Sequence, residues 1–107
     1  MENFVYQPET FADIRIMRYQ VPGFDNLSSN DKKLLYYFSK SCIAGRNITW
    51  DQNHSQNLEI RGALEKVYLC YSGDKSVPEW ELFCVYLKQI WVSNGIHHGY
   101  SSQKILP

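Results

Sequence analysis

The residues best suited to chemistry lie in one ten-residue run, WVSNGIHHGY, which contains Asn94, Gly95, His97, His98 and Tyr100. The Asn94 amide can both donate and accept, so it could hold a peptide backbone or an amino terminus. His97 and His98 titrate near neutral pH, and Tyr100 can stack or donate a hydrogen bond. Loops that leave rigid elements often carry binding residues, so the run predicts a ligand-binding loop. The alternative is a plain helix stop at Asn94 and Gly95, followed by surface histidines.

The same run does not predict a metal site. Adjacent histidines in a loop diverge, whereas zinc requires three or four convergent ligands. His54 is remote in sequence and has polar neighbours, which predicts an exposed side chain. The sequence contains no HExxH, GxSxG, Walker or dinucleotide-binding glycine motif. We therefore assign no metal ligand and no catalytic residue to the chain.

A second run, GRNITWDQN, is rich in polar side chains. Arg46 and Asp51 could form an ion pair, and the amides could stitch a loop together, although contact with a substrate is the alternative. The tryptophans are expected in the core or at a domain interface; they are Trp50, Trp80 and Trp91.

Composition restricts the class of protein. The 107 residues are 44% hydrophobic and 15% aromatic, which is too apolar for disorder and enough for one domain or part of a larger one. Eleven basic residues balance eleven acidic residues without a long run of one sign, which argues against a nucleic-acid partner. No stretch approaches the roughly 20 apolar residues of a membrane helix. The N-terminal MENF lacks a signal-peptide pattern, so we expect a cytoplasmic protein unless a signal has been removed.

The N-terminal elements expected to precede the helices are extended. Apolar and polar residues alternate from Phe11 to Val21, with a change of parity between Ile16 and Met17. That change predicts a bulge or two partly covered faces. The pair Pro22-Gly23 predicts a turn at the end of this segment.

The sequence predicts three helices after this segment and leaves open a short fourth one. Ser28 is expected to cap the first helix with Asp31, and the helix should end near Gly45. Its apolar stripe comprises Leu34, Leu35, Phe38 and Cys42. Residues 46–57 are compatible with a short helix or an ordered loop, and residues 58–71 have helical spacing.

The last predicted helix runs to Ser93. Ser76 is its expected cap with Glu79 in the reciprocal position, Pro78 lies in its first turn, and Gly95 is the expected left-handed residue after its end. The tail from residue 97 is expected to be a loop. The three cysteines lie in apolar helical stretches, which predicts buried free thiols; they are Cys42, Cys70 and Cys84. The fold class is therefore mainly α.

Several unusual strings occur in one order along the chain. They are FADI at 11–14, RYQVPGF at 18–24, GRNI at 45–48, WDQN at 50–53, NLxIR at 57–61 and NGIHH at 94–98. This series resembles the start of bacterial dipeptidyl peptidase III enzymes, and is most similar to the Bacteroides-like branch.

The resemblance implies a parent enzyme with two lobes and an α+β fold. Members of this family are zinc metallopeptidases that remove dipeptides from the amino terminus of oligopeptides. Their zinc is held by an HExxGH helix and a glutamate of a later EExRxD-like motif. The bound zinc polarises the scissile carbonyl and a water molecule, and the motif glutamate acts as general base. Neither motif occurs in this sequence. Residues 1–107 are accordingly expected to be an N-terminal, inactive fragment without the catalytic zinc lobe; zinc belongs to the parent enzyme, and the partners are an oligopeptide substrate and the missing lobe.

The resemblance also assigns roles within the run NGIHH. Asn94 would bind the amino-terminal end or the backbone of the substrate, and His97, His98 and Tyr100 would line the cleft beside Gly95. The family usually has a third histidine where this chain has Gly99. Two alternatives remain: a free-standing helical interaction module descended from the family, and an unrelated helical domain.

Overall fold

A computed structural model describes residues 3–107, which form three α-helices preceded by a short sheet. Strand β1 comprises Glu9–Phe11, and strand β2 comprises Ile14–Ile16. The two strands are antiparallel, with Phe11 opposite Ile14. Ala12 has a φ of 49° in the tight connection between them, a conformation that L-residues rarely adopt. The extended segment predicted from residue 11 therefore folds back as a hairpin, and the mainly α fold class is confirmed.

The chain divides into two compact units, of which the first ends at Gly45 and the second runs from Arg46 to Pro107. In the first unit, the predicted turn is present: the amide of Phe24 donates to the carbonyl of Val21 at 3.3 Å, and Gly23 has a φ of 84°. A short 3-10 helix, Phe24–Asn26, follows the turn.

Helix α1 comprises Ser29–Asn53 and begins after the predicted cap. The amide of Asp31 donates to the Ser28 hydroxyl at 3.1 Å, and that hydroxyl donates to the Asp31 carboxylate at 2.6 Å. The predicted end near Gly45 is wrong. A single glycine costs a helix only about 1 kcal/mol relative to alanine, so helical residues on both sides can carry the helix through it.

Helix α2 comprises Asn57–Cys70, and helix α3 comprises Pro78–Ser93. Pro78 is the first residue of α3, as predicted, but Ser76 is not its cap. The cap is Val77, which makes no side-chain capping bond. Ser76 instead directs both its amide and its hydroxyl to the carboxylate of Asp74, at 2.8 and 2.7 Å. These two hydrogen bonds, the one to the hydroxyl first, hold the pKa of the Asp74 carboxyl below its ordinary value.

The core of the second unit joins residues from α1, α3 and the tail. Trp50, Ile90 and Ile105 are buried together, and Leu87 is also almost fully buried. The partly buried residues packed on this core are Leu58, Leu64, Tyr86 and Ile96. The burial of Trp50 confirms the expectation that this residue belongs to the core.

Several predicted core positions are exposed. Leu34, Leu35 and Phe38 of the α1 stripe are 54%, 46% and 60% exposed. Cys42 and Cys70 are also exposed and Cys84 is half-buried, so the prediction of buried thiols is wrong although all three cysteines are free. Helical periodicity locates an apolar stripe but does not identify what covers it.

No helix within residues 3–107 combines the length and the apolar character needed to cross a membrane.

Candidate functional site

The predicted binding loop begins where α3 ends. Asn94 has φ 53° and ψ 40°, so the left-handed residue is Asn94 rather than the predicted Gly95. Asparagine tolerates this conformation better than most residues with a side chain. The amides of Asn94 and Gly95 donate to the carbonyls of Trp91 at 3.4 Å and Ile90 at 3.1 Å. The end of the helix is thus closed by its own backbone.

Gly95 is buried and has a φ of 150°. A Cβ atom at this position would overlap the side-chain amide of Asn57. Glycine is therefore required here both by the backbone conformation and by the close approach of Asn57.

The amide of Asn57, which is 0% exposed, connects three segments of the chain. Its Nδ2 donates to the carbonyl of Trp50 at 3.0 Å and, more weakly, to that of Asn94 at 3.5 Å. Its Oδ1 accepts the backbone amide of Ile96 at 3.2 Å. Asn53 adds a second bond to the Asn94 carbonyl, at 3.3 Å. Because buried polar groups need partners, these bonds fix the backbone of residues 94–96 against the C-terminal end of α1 and the start of α2.

The tail after Ile96 is a loop, as predicted, and it returns on itself. The amide of Ile105 donates to the carbonyl of Ile96 at 2.8 Å, and His97 pairs with Lys104 in an antiparallel bridge. The amide of His98 donates to the carbonyl of Gln103 at 2.9 Å. This short ladder, closed by the burial of Ile105, holds both histidines at its start.

A polar cavity of about 400 Å³ lies beside the two histidines. Its lining consists of hydroxyl, amide and imidazole side chains together with one glycine; the residues are Asn53, Ser93, His97, His98, Gly99, Ser101 and Ser102. Such groups offer both hydrogen-bond donors and acceptors, and none of them carries a formal charge when the two histidines are neutral. The cavity can therefore hold a neutral polar ligand through hydrogen bonds.

His54, which we predicted to be exposed, is half-buried next to His97. The two rings lie 5.6 Å apart between centroids and are tilted by 46°. The Nδ1 of His54 accepts the backbone amide of Gln56 at 3.2 Å. That bond requires the neutral tautomer with its proton on Nε2.

A second cavity, of about 310 Å³, is lined by Arg46, Trp50, Glu65, Trp91 and Asn94. The Nε1 of Trp91 donates to the Glu65 carboxylate at 3.0 Å. Arg46 does not form the predicted ion pair with Asp51 within the described residues; it faces this cavity instead.

The predicted site residues therefore do not share one surface. His97 and His98 line the polar cavity, and Asn94 lines the cavity with the tryptophans. Gly95 is buried under Asn57, and Tyr100 is fully exposed and lines neither cavity.

Sequence reasoning missed Asn57 as the residue that fixes the loop. The expectation that amides of the GRNITWDQN run stitch a loop is confirmed for Asn53, which bonds the Asn94 carbonyl. Asn57 lies just outside that run, inside a pattern that reads as a helix start. No local signal in the sequence identifies Asn57 as an anchor, because its partners in the loop are 37 and 39 positions away.

Among residues 3–107, no three His, Cys, Asp or Glu side chains come together as ligands for a metal ion. The expectation that zinc belongs to the parent enzyme remains a prediction.

No protein-family model matches the chain, and no curated protein matches it either.

Proposed function

We propose that the chain forms a non-catalytic part of the substrate cleft of a zinc-dependent peptidase of the dipeptidyl peptidase III type. Such an enzyme removes dipeptides from the amino terminus of oligopeptides. The zinc-bearing catalytic lobe would be a separate part of the assembled enzyme, and zinc its cofactor. A cytoplasmic location belongs to the same proposal.

The observation that carries the proposal is the fixed loop after α3. Its backbone at residues 94–96 is held by the amides of Asn53 and Asn57. Its histidines then stand beside a polar cavity lined by hydroxyl, amide and imidazole groups. A site fixed before binding loses less conformational entropy when a ligand arrives, which suits recognition of a flexible peptide.

The chemistry of the polar cavity also suits a peptide backbone. Peptide groups are neutral and present one donor and one acceptor each. The serine hydroxyls and the Asn53 amide can satisfy both, whereas a strongly charged cavity would favour ions instead.

Exposed apolar side chains support the idea of a covering lobe. The exposed residues include Phe38, Ile43 and Ile48 of α1 and Leu69 of α2, all at least 60% exposed. Large exposed apolar side chains are typical of places where another protein surface packs. In the proposal, the catalytic lobe is that surface.

Complementation provides the direct test. The 107-residue chain is mixed with a family catalytic lobe that carries HExxGH but lacks its own first segment, and release of dipeptide from arginyl-arginyl naphthylamide is measured. We expect activity only when the chain, the lobe and zinc are all present. Zinc-dependent turnover by the chain alone, or a stable complex with no turnover, would contradict the proposal.

A variant tests the role of Asn94 in that assay. Alanine would strain the left-handed backbone at this position, so a loss of activity would be ambiguous. Asn94→Gly keeps the conformation accessible and removes only the side chain. If the Asn94 amide binds substrate, KM should rise in the complemented enzyme; unchanged kinetics would remove the side chain from the site.

The second candidate is a free-standing helical interaction module. The same exposed apolar side chains favour it, because they could bind another protein directly. A monomer with a sharp cooperative melt supports this candidate. Self-association of the isolated chain and strong binding of a hydrophobic dye support the first candidate, in which a catalytic lobe covers these side chains.

A further inference from the structure

We propose that the cavity lined by Arg46, Trp50, Glu65, Trp91 and Asn94, here called the tryptophan cavity, binds a small organic anion, with its carboxylate on Arg46 and its flat apolar body against Trp91. The tryptophan cavity and the polar cavity share no lining residue, although Asn94, which the proposed function tests for substrate binding, lines the tryptophan cavity. Arg46 and Trp91, which this inference concerns, have no role in the proposed function.

The first argument is the surplus of positive charge at the tryptophan cavity. Arg61 does not line the cavity but contacts two residues that do: its guanidinium carbon is 5.0 Å from the ring centroid of Trp50, and its Nε is 3.8 Å from the Glu65 carboxylate. Arg46 lines the cavity directly. The lining residues and Arg61 together carry two guanidinium groups and one carboxylate, and the local balance favours an anion.

The second argument concerns how the one carboxylate is used. The same Oε1 atom of Glu65 accepts the indole N–H of Trp91 at 3.0 Å and faces the Nε of Arg61. The Arg61 side chain is only 14% exposed, and its Nη1 is buried without a hydrogen-bond partner within the described residues. Glu65 therefore compensates Arg61 incompletely. The guanidinium of Arg46 pairs with no carboxylate in the described part of the chain.

The third argument is the shape and chemistry of the walls. A volume of about 310 Å³ is at the small end of ligand cavities, which fits a molecule of amino-acid size. Trp91 is 38% exposed, so part of its ring remains available for packing. Guanidinium groups bind carboxylates in a bidentate geometry, and an aromatic wall packs well on a planar body.

The probe is phenylacetate, with phenylacetamide as the neutral control of the same shape. Binding to the 107-residue chain is measured by calorimetry and by the NMR signal of the Trp91 indole N–H, which reports on the cavity because it is bonded to Glu65. We expect phenylacetate to shift that signal in a saturable way and phenylacetamide to shift it far less.

Two variants locate the anion. Arg46→Gln should weaken phenylacetate binding by about tenfold or more, because it removes a charge-assisted hydrogen-bond donor. Arg15→Gln, which makes the same change of net charge on the exposed face of β2, should leave the affinity within about twofold. Glu65→Gln should tighten binding, since its amide oxygen can still accept the Trp91 N–H while the competing negative charge is gone.

Three results would each overturn the inference. The first is no saturable shift of the Trp91 signal in phenylacetate. The second is equal binding of phenylacetate and phenylacetamide. The third is an affinity of the folded Arg46→Gln variant, checked by circular dichroism, that equals that of the unchanged chain. None of these results bears on the complementation assay.

Discussion

The side-chain amide of Asn57 packs against the α-carbon of Gly95 so closely that it occupies the place of a Cβ atom at that position. The contact joins the first residue of α2 to the loop that leaves α3. The same amide also bonds the backbone on either side of Gly95, at the carbonyl of Asn94 and the amide of Ile96. The position of the loop therefore depends on this pair.

Gly95→Ala should destabilise the fold by more than about 2 kcal/mol, because alanine is strained at positive φ and its Cβ would displace the Asn57 amide. The measurement is the free energy of unfolding in urea. The matched control is Gly62→Ala in α2, where nothing lies within 4 Å of the added Cβ. That control should stabilise the chain by about 0.5–1 kcal/mol. Equal effects of the two substitutions would contradict the contact.

Asn57→Asp tests the hydrogen bonds rather than the packing. A carboxylate cannot donate, so the carbonyls of Trp50 and Asn94 would face a buried negative oxygen. We expect a loss of about 2–4 kcal/mol in the free energy of unfolding. Asn47→Asp, an exposed substitution with the same chemistry in α1, should change stability by less than about 0.5 kcal/mol. A small effect of Asn57→Asp would show that the amide is not buried in solution.

The distribution of burial gives a third prediction. The double variant Leu35→Gln and Phe38→Gln should change stability by less than about 1 kcal/mol, because both side chains are exposed. It should also reduce the fluorescence of a bound hydrophobic dye, since it removes apolar surface. Leu87→Ala, at a residue only 1% exposed, should cost about 2–5 kcal/mol. A large loss of stability in the double variant would mean that the α1 stripe is buried.

The sequence predicts the interiors of the elements better than their ends. The spacing of apolar residues locates α2 and α3 within one or two residues, because periodicity is a local property. The end of α1 fails because Gly45 resembles a stop, yet a lone glycine costs too little to end a helix whose last carbonyls find partners such as Asn57.

The candidate site is less predictable for a physical reason. The run after α3 is visible in the sequence because it concentrates asparagine, glycine and histidine. Its anchor, Asn57, is not visible, since two of the three hydrogen bonds of its side chain join residues 37 and 39 positions apart. Ser76 fails for the opposite reason: a local competitor, Asp74, takes the hydroxyl that a capping box would use.

The bond between Ser76 and Asp74 gives a prediction about pH. The hydroxyl and amide of Ser76 stabilise the charged form of Asp74, so the pKa of this carboxyl is below its ordinary value in the folded chain. A carboxyl whose pKa is lower in the folded state contributes stability above its unfolded pKa and loses that contribution as pH falls through the folded pKa. The contribution should therefore be complete at neutral pH and disappear only in acid, below the ordinary range for aspartate.

An NMR titration of the Asp74 carboxyl carbon measures this directly. Ser76→Ala removes the hydroxyl, which is the larger cause, and should raise the pKa of Asp74 toward its ordinary value while the amide bond remains. Ser39→Ala, at an exposed position of α1, should leave the titration unchanged. If Ser76 were instead the cap of α3, its loss would fray the first turn of the helix and leave the titration of Asp74 where it was.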